Sequence, residues 1–141
     1  MGGAILRHAM SRENVELVLR MFERPRDPSV AEEVFADDIV MRFHGELHVL
    51  GEDVVGKRAV SGWFVDWFRQ FEAEYSFEVH EVEDWDDRVM VIATHHGRGR
   101  ASGAPIAGLG IWVYAIRDGR IVTCDVYSDR EQALAAAGRP G

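Results

Sequence analysis

The sequence predicts an α+β domain in which helices pack on one face of a curved antiparallel sheet. Three observations carry that prediction. First, Asp118-Gly119 separates two runs of β-branched and aromatic residues, 111–116 and 121–127. Asp-Gly between two such runs is the strongest short-range hairpin signal, because Gly accepts the positive φ of a tight turn. Both runs are apolar on both faces, which places the hairpin centrally in a sheet covered on at least one side. Second, two segments ahead of the strands repeat apolar residues at helical spacing. Third, the elements run α-α-β-α-β-β-β-β without repeats or an internal linker, and helices that precede a meander segregate to one face of its sheet.

Taken in order, residues 1–10 read as a flexible tail, and 11–138 as a single domain. Ser11 is a candidate N-cap, followed by Val15, Val18, Leu19 and Phe22 at i, i+3, i+4 and i+7. Leu17 and Met21 widen that apolar face, so one side looks toward a core and another toward a cavity. Pro25 and Pro28 end the helix, and Asp27-Pro28 reads as an N-cap with proline at the first helical position. Asp37-Asp38 reads as a turn before a strand over 39–43, and 45–56 as a polar loop. Val60, Trp63, Phe64, Trp67, Phe68 and Phe71 mark the most amphipathic helix. Strands follow over 75–82 and 88–96, joined by the acidic turn Asp84-Trp85-Asp86-Asp87. A loop over 97–103 leads into the central hairpin. Ser128, with Glu131 three residues on, reads as a capping box for a last helix over 131–136.

Bulk properties bound the function. At 141 residues with 47% hydrophobic and 28% charged residues, the chain is an ordinary globular domain. Such a length buries roughly two-thirds of the unfolded surface. A net charge of −8 argues against nucleic acid as a partner and against anionic membrane surfaces. Residues 1–10 lack the apolar core of a signal peptide, and no apolar run reaches membrane-spanning length. Gly2 invites a myristoylation reading, but Leu6 stands where Ser or Thr is wanted. Cys124 is the sole cysteine, which excludes an intrachain disulfide and fits a reducing compartment. A cytoplasmic location is expected.

Several stretches together resemble the SnoaL-like branch of the NTF2-like superfamily, which includes ketosteroid isomerases, polyketide cyclases and limonene-epoxide hydrolases. They are residues 11–16 (SRENVE), Phe35-Ala36-Asp37-Asp38, Phe43-His44, Gly56-Lys57, Arg117-Asp118-Gly119-Arg120-Ile121-Val122, and residues 127–134 (YSDREQAL). The resemblance spans about Ser11 to Gly138. It implies a cone-shaped fold with a strongly curved antiparallel or mixed sheet and helices on its concave face. It further implies a cavity for a small hydrophobic ligand and a homodimer formed through the outer sheet face. It does not select a function, because this fold hosts enzymes and binding modules alike.

Carried over residue by residue, the resemblance withholds the known chemistries. The isomerases' carboxylate base falls at Phe43, and their tyrosine and protonated aspartic acid fall at Met21 and Trp112. The hydrolases' aspartate, like the cyclases' acid, falls at Val126, and their tyrosine and asparagine at Met41 and Phe43. No Arg-x-Asp occurs over 88–96. None of these side chains performs the family's proton transfers. A slip of one residue on the last strand exchanges its faces and would bring Asp125 and Tyr127 inward in place of Cys124 and Val126. Asp125 then becomes the acid or base.

The resemblance places His95 inward on its strand, beyond Val91 and Ala93, where an imidazole works as a general base or a hydrogen-bond partner. Its alternative is a partly exposed histidine at a strand end. The expected catalytic candidates are therefore His95 and Asp125. The expected ligand-binding wall is Met21, Met41, Phe43, Trp63, Trp67, Trp112, Tyr114 and Val126, with His95 and Tyr114 as its polar anchors. No cofactor is expected. No metal is expected either, since His44, His48, His80, His95 and His96 lack ligand spacing on a helix and a supporting cysteine pattern. Cys124, between Val122 and Val126, reads as a small buried hydrophobe. Residues 97–100 (GRGR) superficially match a phosphate loop, but no helix N-terminus follows them. Three functions stay open: binding of a small hydrophobic molecule, an enzyme using His95 or Asp125, and a dimeric interaction module with an exposed apolar patch on the outer face.

Overall fold

A computed structural model describes residues 2–138, with side chains from Arg12 onward. Four helices, α1 (Gly2–Glu23), α2 (Pro28–Val34), α3 (Lys57–Phe68) and α4 (Arg130–Ala136), accompany six strands: β1 (Phe35–Phe43), β2 (Val54–Val55), β3 (Ser76–Asp84), β4 (Arg88–Arg98), β5 (Pro105–Arg117) and β6 (Arg120–Tyr127). The strands form one curved, unclosed sheet in the order β2-β1-β6-β5-β4-β3. The β5–β6 hairpin is central in it. Asp118 and Gly119 both adopt positive φ, 53° and 72°, as a type I′ turn between twisted strands requires. All neighbours pair antiparallel except β1 and β6, which are parallel.

Curvature has a local cause. Register shifts interrupt the β1–β6 pairing between Phe35 and Val40, the β3–β4 pairing between Val79 and Glu81, and the β5–β6 pairing between Ala115 and Ile116. An extra residue in one strand bends the ladder and increases its twist. The bent sheet carries a core on each face. The inner core joins Val18, Phe22, Val34, Met41, Val91 and Tyr114 beneath α1, α2 and α3. The outer core joins Trp85, Met90, Ile92, Ile111, Val113 and Tyr127 beneath α4.

Several boundaries differ from the sequence reading. The first helix begins at Gly2 rather than at a Ser11 cap, so most of the expected tail is helical. Between residues 4 and 23 there is no Gly or Pro to stop a helix, and Ala, Leu, Arg and Met favour one. Asp37 and Asp38 lie inside β1 at its irregular pairing, not in a turn before it. The polar loop over 45–56 contains a 3-10 helix, Gly45–Leu50, and the short strand β2. Asp27 does cap α2, accepting from the Ser29 amide at 3.0 Å. The last helix is capped by Asp129, which accepts from the Gln132 amide at 2.8 Å, while the Ser128 hydroxyl donates to the Gln132 side chain at 3.3 Å. Among the described residues no helix is long and apolar enough to cross a membrane.

Candidate functional site

Alternation along the strands decides what faces the helices. On β1, Met41 and Phe43 point inward, and Arg42 points out. On β6 the paired positions are Cys124 and Val126 inward and Asp125 outward, since Met41 aligns with Cys124, Arg42 with Asp125 and Phe43 with Val126. On β5 the inward positions are Trp112 and Tyr114, and on β4 they include Val91, Ala93 and His95.

These strands and the helices above them enclose a cavity of about 470 Å³. Met41, Phe43, Trp112, Tyr114, Val126 and His95 form its sheet wall. Met21 reaches it from α1, and Trp63 and Trp67 from α3. Those two indoles stack at 5.6 Å with planes 9° apart, because residues four apart lie one above the other on a helix. Phe43 packs against Trp63 at 5.2 Å, and Phe22 meets Trp112 edge-on at 5.3 Å. The walls are overwhelmingly apolar.

His95 lies among Tyr75, Trp67 and Phe71, with ring centroids 5.7, 6.0 and 6.2 Å away. Its Nδ1 is buried without a hydrogen-bond partner. Gly108, its pairing partner on β5, makes room for the ring: a Cβ there would sit 2.4 Å from Nε2. Burial in this aromatic surround, with the neighbouring His96 adding to it, holds the His95 imidazole below its ordinary pKa of 6.5. The ring is therefore neutral at pH 7. One ring nitrogen carries a proton and the other a lone pair. Nearby, the Tyr75 hydroxyl accepts from the Trp67 indole at 3.2 Å, and burial raises its pKa.

Tyr114 lines the cavity, and it pairs with Cys124 on the adjacent strand. Full burial pushes both groups upward in pKa, so both stay neutral.

Asp125 is not among the cavity-lining residues. On the outer face its Oδ1 accepts from His44 Nε2 at 2.8 Å and lies 3.2 Å from Arg42 Nε. The His44 ring stacks on Tyr127 at 4.5 Å with planes 9° apart. The inward register of Cys124 and Val126 thus holds, and Asp125 is withdrawn as an acid or base for the cavity. The histidines do not converge either. His80 bonds Thr94, His96 bonds Glu78, and among the described residues no group of three potential ligands forms a metal site.

Two contributors went unread in the sequence. Tyr75 looks like the first residue of a strand and instead fills the space beside His95. Arg26, between two prolines, reaches the carbonyls of Phe68, Phe71 and Glu72 at 2.8, 2.9 and 2.8 Å. Those partners lie 42 to 46 positions away, beyond any local pattern.

With this geometry in view, comparison with known proteins gives a family. A family model described as the SnoaL-like domain matches residues 15–124. The chain belongs to that family. A comparison with curated protein sequences finds no match. Among solved structures, a protein named as a SnoaL-like polyketide cyclase from Jannaschia superposes with a TM-score of 0.73 at 21% identity, covering 92% of this chain and 94% of that one. A protein with a ketosteroid isomerase-like fold from Catenulispora acidiphila, in complex with trimethylamine, gives 0.68 at 20% identity, covering 89% and 94%. TerC, co-crystallised with polyporic acid, gives 0.69 at 17% identity, covering 88% and 96%. At these identities the likeness establishes the NTF2-like fold.

Proposed function

We propose that this SnoaL-like protein binds a small hydrophobic molecule in the cavity beneath α1 and α3, with a polar group of that molecule set at the His95 end. The supporting observation is the neutral imidazole of His95, unpartnered at Nδ1, on the wall of a cavity lined mainly by aromatic and aliphatic side chains. Pockets for small organic molecules have this build: apolar walls for affinity and a few placed polar groups for orientation. The absence of carboxylates at Phe43, Trp112 and Val126, and of a tyrosine at Met21, removes the proton-transfer groups that the resemblance would place there. The same reading has the protein act in the cytoplasm as a homodimer paired through the outer face. Light scattering tests the pairing.

A second reading is favoured by the same imidazole. A histidine held neutral is a competent general base at pH 7, and an enzyme of this build would use His95 to move a proton in an isomerisation, cyclisation or hydration.

Thermal unfolding against steroids, polyketide-like anthraquinones, terpene epoxides and fatty acids separates the two. A compound at a hundred times its dissociation constant adds about 2.7 kcal/mol and raises the midpoint by several degrees. A stabilising compound recovered unchanged supports binding. A stabilising compound that is consumed, with consumption lost in His95→Ala, supports the enzyme. No stabilisation across the panel contradicts both.

A further inference from the structure

The link between α1 and α2 places a cation at the cavity without a counter-charge. Arg26 lines the cavity, and its Nη2 donates to the carbonyls of Phe68, Phe71 and Glu72. These carbonyls end α3 and begin the segment after it, where the helix leaves its last acceptors unpaired and carries negative partial charge. The clamp fixes the guanidinium through one nitrogen. Its Nε is buried with no partner, and Nη1 bonds to nothing among the described residues.

The neighbouring carboxylates are turned to other work. Asp27 caps α2 through Ser29. Glu72 pairs with Arg98 at 3.8 Å, Asp66 with Arg69 at 3.6 Å and Glu32 with Lys57 at 3.4 Å. Among the described residues none pairs with Arg26. The same end of the cavity holds Tyr75, whose oxygen accepts from Trp67 and whose own proton meets no acceptor among the described residues. Arg26 and His95 both border Phe71, the first through its carbonyl and the second through its ring.

We propose that the ligand of this cavity is an organic acid, a hydrophobic body bearing one carboxylate, and that Arg26 Nη1 and the Tyr75 hydroxyl receive that carboxylate. The inference rests on the binding reading above and names its ligand class. A half-buried guanidinium packed against Phe68, whose ring centroid is 5.8 Å from Arg26 Cζ, gains most from a charged acceptor. Neutral isosteres fill the same volume without answering that charge.

The test is calorimetric titration at pH 7.5 with naphthalene-2-carboxylate and its neutral isostere naphthalene-2-carboxamide. The wild-type protein is expected to bind the carboxylate about tenfold or more tightly than the amide, the difference a charge-assisted hydrogen bond supplies. Arg26→Gln is expected to bring the two within about twofold by weakening the acid alone, and Arg26→Lys, which keeps the charge, to retain part of the preference. Equal affinities in the wild-type protein, or a preference that survives Arg26→Gln, overturn the organic-acid inference and leave the cavity reading standing. Failure of both compounds to bind the wild-type protein contradicts the cavity reading and removes this inference with it. Should Arg26→Gln melt below the assay temperature, the wild-type pair and Arg26→Lys still decide.

Discussion

The inner and outer faces of the sheet hold similar side-chain types in different company: charges meet opposite charges outside, and aromatic rings and carbonyls inside. Outside, Asp125, Arg42, His44 and Tyr127 bring together an acid, a cation, an imidazole and a phenol, a set that in isolation reads as catalytic. The carboxylate takes the imidazole at 2.8 Å and forms an ion pair with the guanidinium, whose Nε lies 3.2 Å away without a hydrogen bond, and the imidazole stacks on the phenol. Inside, His95 has aromatic neighbours and no hydrogen bond, and Arg26 has carbonyls on one nitrogen and nothing on the others. The difference teaches where to look for function. A cluster that pairs its opposite charges holds strands together, whereas a cation or imidazole with no charged partner has capacity left for another molecule.

The largest expected effect breaks the comparison on a single strand. Cys124→Asp puts on the inner face the carboxylate that Asp125 carries on the outer one. Cys124 is fully buried beside Tyr114, so an ionisable group there has no water and no cation. A loss of about 3 kcal/mol or more in chemical denaturation is expected. Asp125→Ala is the outer counterpart. It leaves Arg42 and His44 without their acceptor, but their side chains are 42% and 36% exposed and recover water. A loss of about 1 kcal/mol is expected, with ligand affinity unchanged.

Gly108→Ala sharpens the inner side. The added methyl occupies the space of the His95 ring end, so the imidazole must turn. The expected result is a shifted His95 signal in NMR and about tenfold weaker binding of the panel compound that stabilises best, comparable to losing one well-placed hydrogen bond.

The pH dependence of stability reports the same group. Because the folded state holds His95 below its ordinary pKa of 6.5, the unfolded chain binds the proton more tightly. The cost is absent well above pH 6.5 and grows as pH falls through the lowered folded value. The melting midpoint of the wild-type protein should therefore drop more between pH 7.5 and pH 5.5 than that of His95→Phe. Equal drops would remove the buried neutral imidazole from this account.

The smallest effects concern the helix that covers the outer core. Asp129→Ala removes the observed cap of α4 and is expected to cost about 1 kcal/mol, against less than about 0.5 kcal/mol for Ser128→Ala.

That last pair marks how far the sequence could be read. The central hairpin was legible because Asp-Gly between two β-branched runs dictates both a turn and a pairing within a few residues. Alternation sets Met41 and Phe43 on the face opposite Arg42, and the family resemblance supplies the register that turns Trp112 and Val126 inward. Alternation separates two faces but does not say which is inner, and so Asp125 stayed open until β6 was seen paired with β1. Ser128 and Asp129 are both good caps, and only backbone geometry chooses between them. Arg26 was invisible because its partners are backbone carbonyls, which every residue possesses and no sequence advertises.

The most direct test of the account compares one inward and one outward substitution on the same strand. Calorimetric titration of the best-stabilising panel compound into wild-type, Val126→Trp and Asp125→Asn proteins, each checked for a cooperative melt, measures which face takes the ligand. The account predicts that the indole at 126 fills the cavity and abolishes binding, while Asp125→Asn binds as the wild type does. Binding that survives Val126→Trp and fails in Asp125→Asn would move the site to the outer face and contradict the account.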